Sequence, residues 1–186
     1  MSLAPRKKKK IPLSHRCFPF VLGINIQETP RFLVMEYCGF EESKSSTILS
    51  MLKGIEKMHI TDSQWLHILG ECCDGFKYLH SLDIIHCDIK SDNIMLMPDK
   101  NQVLNPKIGD FNKARYLSKS MTKAVLPHPL RDLYKRMHPQ NDPGMYDGLY
   151  PYCKETDIYS FGFMLKQMVK VIGLSYLANV AMSCMQ

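Results

Sequence analysis

The sequence predicts an α+β fold, mainly helical with short β-hairpins. Two segments repeat apolar residues at helical spacing, and several short β-prone runs are punctuated by turn formers. The composition is that of one core: of 186 residues, 45% are hydrophobic and 23% charged. Such a chain fits one globular domain, excludes collagen-like, low-complexity or wholly disordered material, and leaves no room for two full domains.

Residues 1–14 read as a basic, flexible tail. Arg6 and Lys7, Lys8, Lys9 and Lys10 supply most of the net charge of +6, and setting them aside leaves 19 basic against 18 acidic residues. The run suits a solvated chain end, with nuclear import or an acidic partner as the alternative. A nearly neutral body argues against nucleic acid as a partner. The seven cysteines are odd in number and lack metal or redox spacing, which predicts reduced thiols and a cytoplasmic or nuclear setting.

FPFVLGI (Phe18 to Ile24) and RFLVMEY (Arg31 to Tyr37), separated by a polar segment closing at Pro30, predict a strand pair. From Ser46 to Met58 the pattern turns helical, and a stronger helix starts near Thr61. There Thr61 can cap while Gln64 reaches back, and Trp65, Ile68, Leu69, Cys72, Phe76 and Leu79 follow on one face. That stripe reads as core. Next, β-prone pieces flank a polar loop in IIHCDIKSDNIMLM, and MPDKNQVLNP makes a hairpin turn before KIGDFNKAR. Tyr116 to Gly148 is rich in Pro, Met and basic residues without a sustained period, and reads as one long surface loop. Thr156 to Val171 predicts a buried helix with Ile158, Phe161, Leu165, Met168 and Val169 on one face. The uncharged run Val171 to Gln186, sixteen residues long, is too short and too polar for a membrane span and reads as core helix.

The chemistry-bearing pattern is H-x-D-x-K-x-x-N, formed by His86, Asp88, Lys90 and Asn93, with Asp110-Phe111-Asn112 following after a strand-turn-strand stretch. At ordinary residue usage, four fixed positions coincide in roughly one chain of this length in a thousand. With the hairpin between them and TDIYSFG (Thr156 to Gly162) downstream, the order resembles the large lobe of a protein kinase, from about His15 to the end of the sequence.

That resemblance implies small-lobe strands and hinge over residues 15–38, a large lobe over 39–186, and ATP and Mg²⁺ as cofactors. Asp88 is then the carboxylate that orients the attacking hydroxyl, and Lys90 the cation near the transferred phosphoryl, in the form that looks Ser/Thr-specific. Asn93 and Asp110 supply the hard oxygens that Mg²⁺ prefers. Met35 guards the back of the nucleotide pocket, the backbone of Glu36 and Cys38 hydrogen-bonds adenine, and Met95 forms the floor beneath it. Asp157 holds the catalytic-loop backbone from below.

Several positions depart from the family pattern. The first glycines are Gly23 and Gly39, so no glycine-rich loop precedes Glu36, and 35 residues are too few for the strands and helix that would carry the ATP-positioning lysine. Cys87 replaces the arginine that pairs with a phosphorylated activation loop, which weakens Ser118, Ser120, Thr122 and Tyr134 as on-switches. Asn112 stands for the glycine after Asp110-Phe111, a modest cost because Asn tolerates positive φ. Asp142-Pro143-Gly144 aligns with A-P-E, so the glutamate is gone, and the sequence stops at Gln186, before the arginine that would pair with it. Two functions follow as expectations: ATP- and Mg²⁺-dependent transfer to Ser/Thr of a protein substrate, impaired in this chain, or a pseudokinase-like binding module or truncated gene product. The strand pair, with unpaired apolar edges, is also expected to be sticky.

Overall fold

The computed structural model describes residues 14–40, 45–55, 58–120 and 127–186. Most of the basic tail, including Lys7 to Lys10, and Thr122 lie outside the described residues. The chain runs β1 (Val21–Asn25), β2 (Phe32–Met35), α1 (Ile48–Leu52), α2 (Asp62–Ser81), β3 (Ile84–Ile85), β4 (Ile94–Pro98), β5 (Leu104–Ile108), β6 (Arg115–Tyr116), α3 (His128–Met137), α4 (Pro143–Tyr146), α5 (Lys154–Ile172) and α6 (Ala178–Cys184). Among the described residues these strands form three two-stranded antiparallel ribbons: β1 with β2, β3 with β6 and β4 with β5.

The core gathers on α2. Its first turn is closed as the sequence predicts: the Gln64 N–H donates to Thr61 Oγ1 at 3.3 Å, and the Thr61 N–H donates to Gln64 Oε1 at 3.1 Å. Trp65, Ile68, Leu69, Cys72, Phe76 and Leu79 are all buried. They meet the β4–β5 hairpin through Ile94, Leu96, Leu104 and Ile108, and α5 through Phe161, Met164, Leu165 and Met168. The Phe76 and Phe161 rings meet edge-on with centroids 5.5 Å apart.

Three expectations are corrected. The segment from 116 to 148 is not one loop: it contains α3, whose Leu130, Leu133, Tyr134 and Met137 repeat at helical spacing, and α4. Pro127 and Pro129 at the start of α3 interrupt the pattern to the eye but suit the first turn of a helix, where N–H groups have no partner to lose. Second, α5 turns Ile158 outward, and Met164 takes the buried place. Third, Val171 to Gln186 is not one helix. Gly173, at φ 76°, ends α5, and a short turn leads into α6. No helix of the described residues is long and apolar enough to cross a membrane, and none of the seven cysteines is joined in a disulfide.

The β1–β2 ribbon stands apart. Phe20, Leu22, Ile24, Ile26, Phe32 and Leu33 are all about half exposed or more, so the strand pair forms as predicted but neither face is covered. Two-stranded ribbons are marginal without further packing.

Close helix crossing at Gly162 sets how α5 sits on α6. A Cβ there would lie 2.5 Å from Cys184 Cβ and 2.9 Å from the Ala181 carbonyl oxygen. Gly162→Ala is expected to cost about 1–3 kcal/mol through overpacking. Gly70→Ala, in the exposed part of α2 with nothing within 4 Å, is expected to gain roughly 0.5–1 kcal/mol from helix propensity. Urea unfolding of the two variants checks both signs.

Candidate active site

The polar loop between β3 and β4 folds over a buried carboxylate from α5. Asp157, in the first turn of α5 and 1% exposed, accepts hydrogen bonds from the N–H of Cys87 at 2.9 Å on Oδ1 and of His86 at 2.8 Å on Oδ2. His80 of α2 meets the same Oδ2 through Nε2 at 2.9 Å. Two neighbouring N–H groups pointing at one acceptor demand an unusual backbone, and Cys87 takes it up at φ 64°. The holding contact expected of Asp157 is therefore present.

His86 is completely buried. Its Nε2 meets the Gly109 carbonyl at 3.0 Å, its ring lies 5.0 Å from that of Phe111, and Phe111 meets Phe18 edge-on at 5.6 Å. Burial lowers the imidazole pKa, against the opposing pull of Asp157 and Gly109, which favours the neutral ring, and the ring serves as a packing and hydrogen-bonding wedge. The Gly109 N–H in turn donates to the Asn93 carbonyl at 2.8 Å. These bonds bring the Asp110 turn beside the loop, although Asp110 lies 17 positions after Asn93 in sequence.

Asp88, 4% exposed, is the centre of the arrangement. Asn93 Nδ2 donates to its backbone carbonyl at 2.8 Å and lies 3.3 Å from Oδ2. Lys90 Nζ is 3.4 Å from Oδ2, and Lys113 Nζ donates to Oδ1 at 2.9 Å. Burial pulls the Asp88 carboxyl upward, but Lys113 and Lys90 outweigh it and hold it below the usual carboxylate range. The hydrogen bond to Asp88 likewise raises Lys113. Asp110 is exposed at φ 56°, with Oδ1 turned to the Asn112 N–H at 3.4 Å. Asp88, Lys90 and Asn93 thus share one loop, with Asp110 close by.

On the strand side, Glu36 ties the chain after β2 to the hairpin. Its Oε2 accepts from Lys107 Nζ at 2.9 Å and from the Phe20 N–H at 3.0 Å. Ser45 Oγ donates to the Cys38 carbonyl at 2.6 Å, and Thr47 bridges to Met95 on β4, so Cys38 and Met95 belong to one neighbourhood. Met95 is partly buried, whereas Met35 is 47% exposed at the end of the uncovered ribbon. A cavity of about 490 Å³ opens elsewhere, between α2, α5 and α6, and none of Asp88, Lys90, Asn93 or Asp110 lines it.

Over residues 14–177 the sequence matches the protein kinase domain family. The chain belongs to that family. It is 31% identical over 160 residues to cysteine-rich receptor-like protein kinase 7 of Arabidopsis thaliana, covering 84% of this chain and 22% of the relative. It is 27% identical over 160 residues to cysteine-rich receptor-like protein kinase 10 of Oryza sativa subsp. japonica, covering 84% of this chain and 23% of the relative. It is also 27% identical over 160 residues to calmodulin-binding receptor-like cytoplasmic kinase 3 of Arabidopsis thaliana, covering 84% of this chain and 29% of the relative. The chain therefore spans less than a third of the length of these relatives.

Two features of this kinase domain were not read from the sequence. Lys113 reaches Asp88 across 25 positions, a contact that only the closed fold brings about; its one sequence signal is a cation in the turn after Asp110. Gly144, at the A-P-E position, has no space for a side chain: a Cβ would meet Tyr150 Oη at 2.5 Å. Tyr150 donates instead to Asp142 Oδ1 at 2.6 Å, and this tyrosine occupies the region where a glutamate side chain would leave the helix.

Two outcomes test this geometry. Asp157→Ala strands two buried N–H groups and is expected to cost roughly 2–5 kcal/mol in urea unfolding, with Asp157→Asn, which keeps an acceptor, losing less. For Glu36, burial raises the pKa but Lys107 and the Phe20 N–H lower it further. Its folded value thus lies below the unfolded one, and the stability it contributes is present above about pH 4.5 and lost as pH falls through the folded pKa. The stability gap between the native chain and Lys107→Met should be widest near pH 7 and narrow as the pH falls below about 4.5.

Proposed function

We propose that this chain is the large lobe of a Ser/Thr-type protein kinase, a phosphotransferase acting from Mg²⁺-bound ATP on the hydroxyl of a protein substrate. The observation that carries the reading is the joining of Asp88, Lys90 and Asn93 in one loop pinned by Asp157, with the Asp110 turn hydrogen-bonded beside it through Gly109. Phosphoryl transfer asks for positioning and charge more than covalent chemistry. Asp88 would orient the acceptor hydroxyl, and Lys90 would neutralise charge on the phosphoryl group.

The donor set fits the cofactors. The Asn93 amide nitrogen is engaged by Asp88, which leaves its carbonyl oxygen as a hard ligand, and Asp110 adds an exposed carboxylate. These two residues would hold Mg²⁺, while Met35, Met95 and the backbone of Glu36 and Cys38 would border the adenine. When bound, Mg²⁺-ATP supplies the phosphoryl group and its charge compensation. Seven cysteines without a disulfide among them suit a reducing, cytoplasmic setting.

A second reading, a pseudokinase-like interaction module, is favoured by one specific observation: both Asp88 oxygens are already engaged by lysines. No glycine-rich loop lies in residues 1–35, and transfer by these residues alone would be weak on either reading. Thermal-shift titration with Mg²⁺-ATP, together with radiolabel transfer to a generic protein substrate, separates the two. The kinase reading expects a concentration-dependent rise in melting temperature and transfer that falls by about 10²-fold or more in Asp88→Asn. No rise and no transfer would leave the interaction module. Equal transfer by the native chain and Asp88→Asn would end the assignment of Asp88.

A further inference from the structure

The charge of the body is not spread evenly. Residues 111–148 hold seven Lys and Arg against three Asp and Glu, whereas the remainder outside the Arg6 to Lys10 run holds 12 against 15. The near-neutral body is thus a basic stretch of sequence within an otherwise acidic one, and the first cation of the basic stretch, Lys113, meets Asp88.

Its three acids are already committed within the segment. Asp142 accepts from the Gly144 N–H and Tyr150 Oη, Asp147 is held by Lys135 at 2.7 Å and Arg131 at 3.5 Å, and Asp132 faces His128 at 3.4 Å. Arg115 and Lys119 have no acidic partner among the described residues; the Arg115 guanidinium lies 4.8 Å over the Tyr152 ring, and its Nε donates to the Lys113 carbonyl at 3.4 Å. Lys119 is exposed. Lys113, the first cation of the segment, has a side chain 53% exposed although its partner Asp88 is 4% exposed.

That contrast places the Lys113 ammonium between Asp88 and solvent. Oδ2 is occupied from within the loop by Lys90 and Asn93, so Oδ1 is the oxygen an acceptor hydroxyl would need, and Lys113 holds it. A half-exposed ion pair is weak, and exchanging one carboxylate partner for another changes little in the lysine's energy. A substrate carrying its own anion next to the acceptor hydroxyl would therefore free Oδ1 at small cost, and a substrate without one would have to release an uncompensated ammonium.

We infer that Lys113 is an exchangeable occupant of Asp88 and that the peptide this surface takes is acidic, with a carboxylate flanking the acceptor hydroxyl drawing Lys113 off Oδ1 toward Arg115 and Lys119. The acceptor part of this inference rests on the kinase reading; the anion-binding part does not, because it needs no nucleotide.

Fluorescence anisotropy with the full 186-residue chain, without nucleotide, tests it on labelled serine peptides alike except for flanking Glu, Gln, Lys or phosphoserine. The Glu peptide is expected to bind about tenfold or more tighter than the Gln peptide at low salt, with the preference shrinking as salt is raised. The phosphoserine arm shows whether a phosphate serves as well as a carboxylate. Because residues 6–10 attract any acidic peptide, the decisive readout is the difference between variants. Lys113→Ala should remove most of the Glu-over-Gln preference, Lys113→Arg should keep it, and Lys166→Ala, on the exposed side of α5, should not alter it. Asp88→Asn removes the competing carboxylate and should tighten Glu-peptide binding several-fold, an effect that a purely structural Lys113 does not produce. Equal binding of the Glu and Gln peptides, or a preference that Lys113→Ala leaves undiminished, or unchanged affinity in Asp88→Asn, would each overturn the inference. The kinase reading fails separately: acidic preference without transfer removes the enzyme and keeps the anion site, whereas transfer to Gln and Glu peptides alike keeps the enzyme and removes the anion site.

Discussion

Asp157 accepts two backbone N–H groups from the loop above it and one imidazole from the helix beside it, all within 2.8 to 2.9 Å. A carboxylate buried to this depth is tolerated only because its lone pairs are filled, and a loop with two inward N–H groups is tolerated only because one acceptor meets both. Each half of the arrangement makes the other stable. The left-handed turn at Cys87 follows from this contact, and the position of Asp88, one residue later, follows from the turn.

Placement of Asp157 depends in turn on α5, and α5 is seated by packing. Phe76 of α2 meets Phe161 on one side, while Gly162 lets the α6 backbone approach on another. Errors at that crossing would be carried to the loop, since packed interiors transmit displacement with little give. The Asp110 turn is fixed by a different route, from β5 through Gly109 to Asn93 and His86. Helix packing thus positions Asp88, and the hairpin positions Asp110.

Much of this was legible in the residues. The capping box at Thr61 and the apolar period behind it are local signals, and local signals survive folding. The H-x-D-x-K-x-x-N pattern was legible because its members share one short loop. What escaped was either masked or non-local. In α3 the repeat of Leu130, Leu133, Tyr134 and Met137 is diluted by prolines and basic residues, and its apolar side stays half exposed, so burial does not reinforce the pattern. Gly173 looked like one more small residue in an apolar run, yet its positive φ splits that run in two. Lys113 was invisible because its partner lies 25 residues away, and Tyr150 because its effect is to fill space next to Gly144 rather than to form a pattern.

The ribbon carries a consequence of its own through where it is tied. At one end the Cys17 carbonyl accepts from the Ile108 N–H at 2.6 Å, the Cys17 thiol donates to the Glu71 carbonyl at 3.1 Å, and Arg16 pairs with Glu71. At the other end Glu36 is held by Lys107. Both feet of the excursion therefore stand on adjacent residues of β5, and between them Phe20 and Glu36 bond to each other. Everything from Val21 to Met35 is topologically a cassette. Changes of length or sequence inside it leave the distance between its tied ends unaltered, and with it the geometry of the loop that carries Asp88.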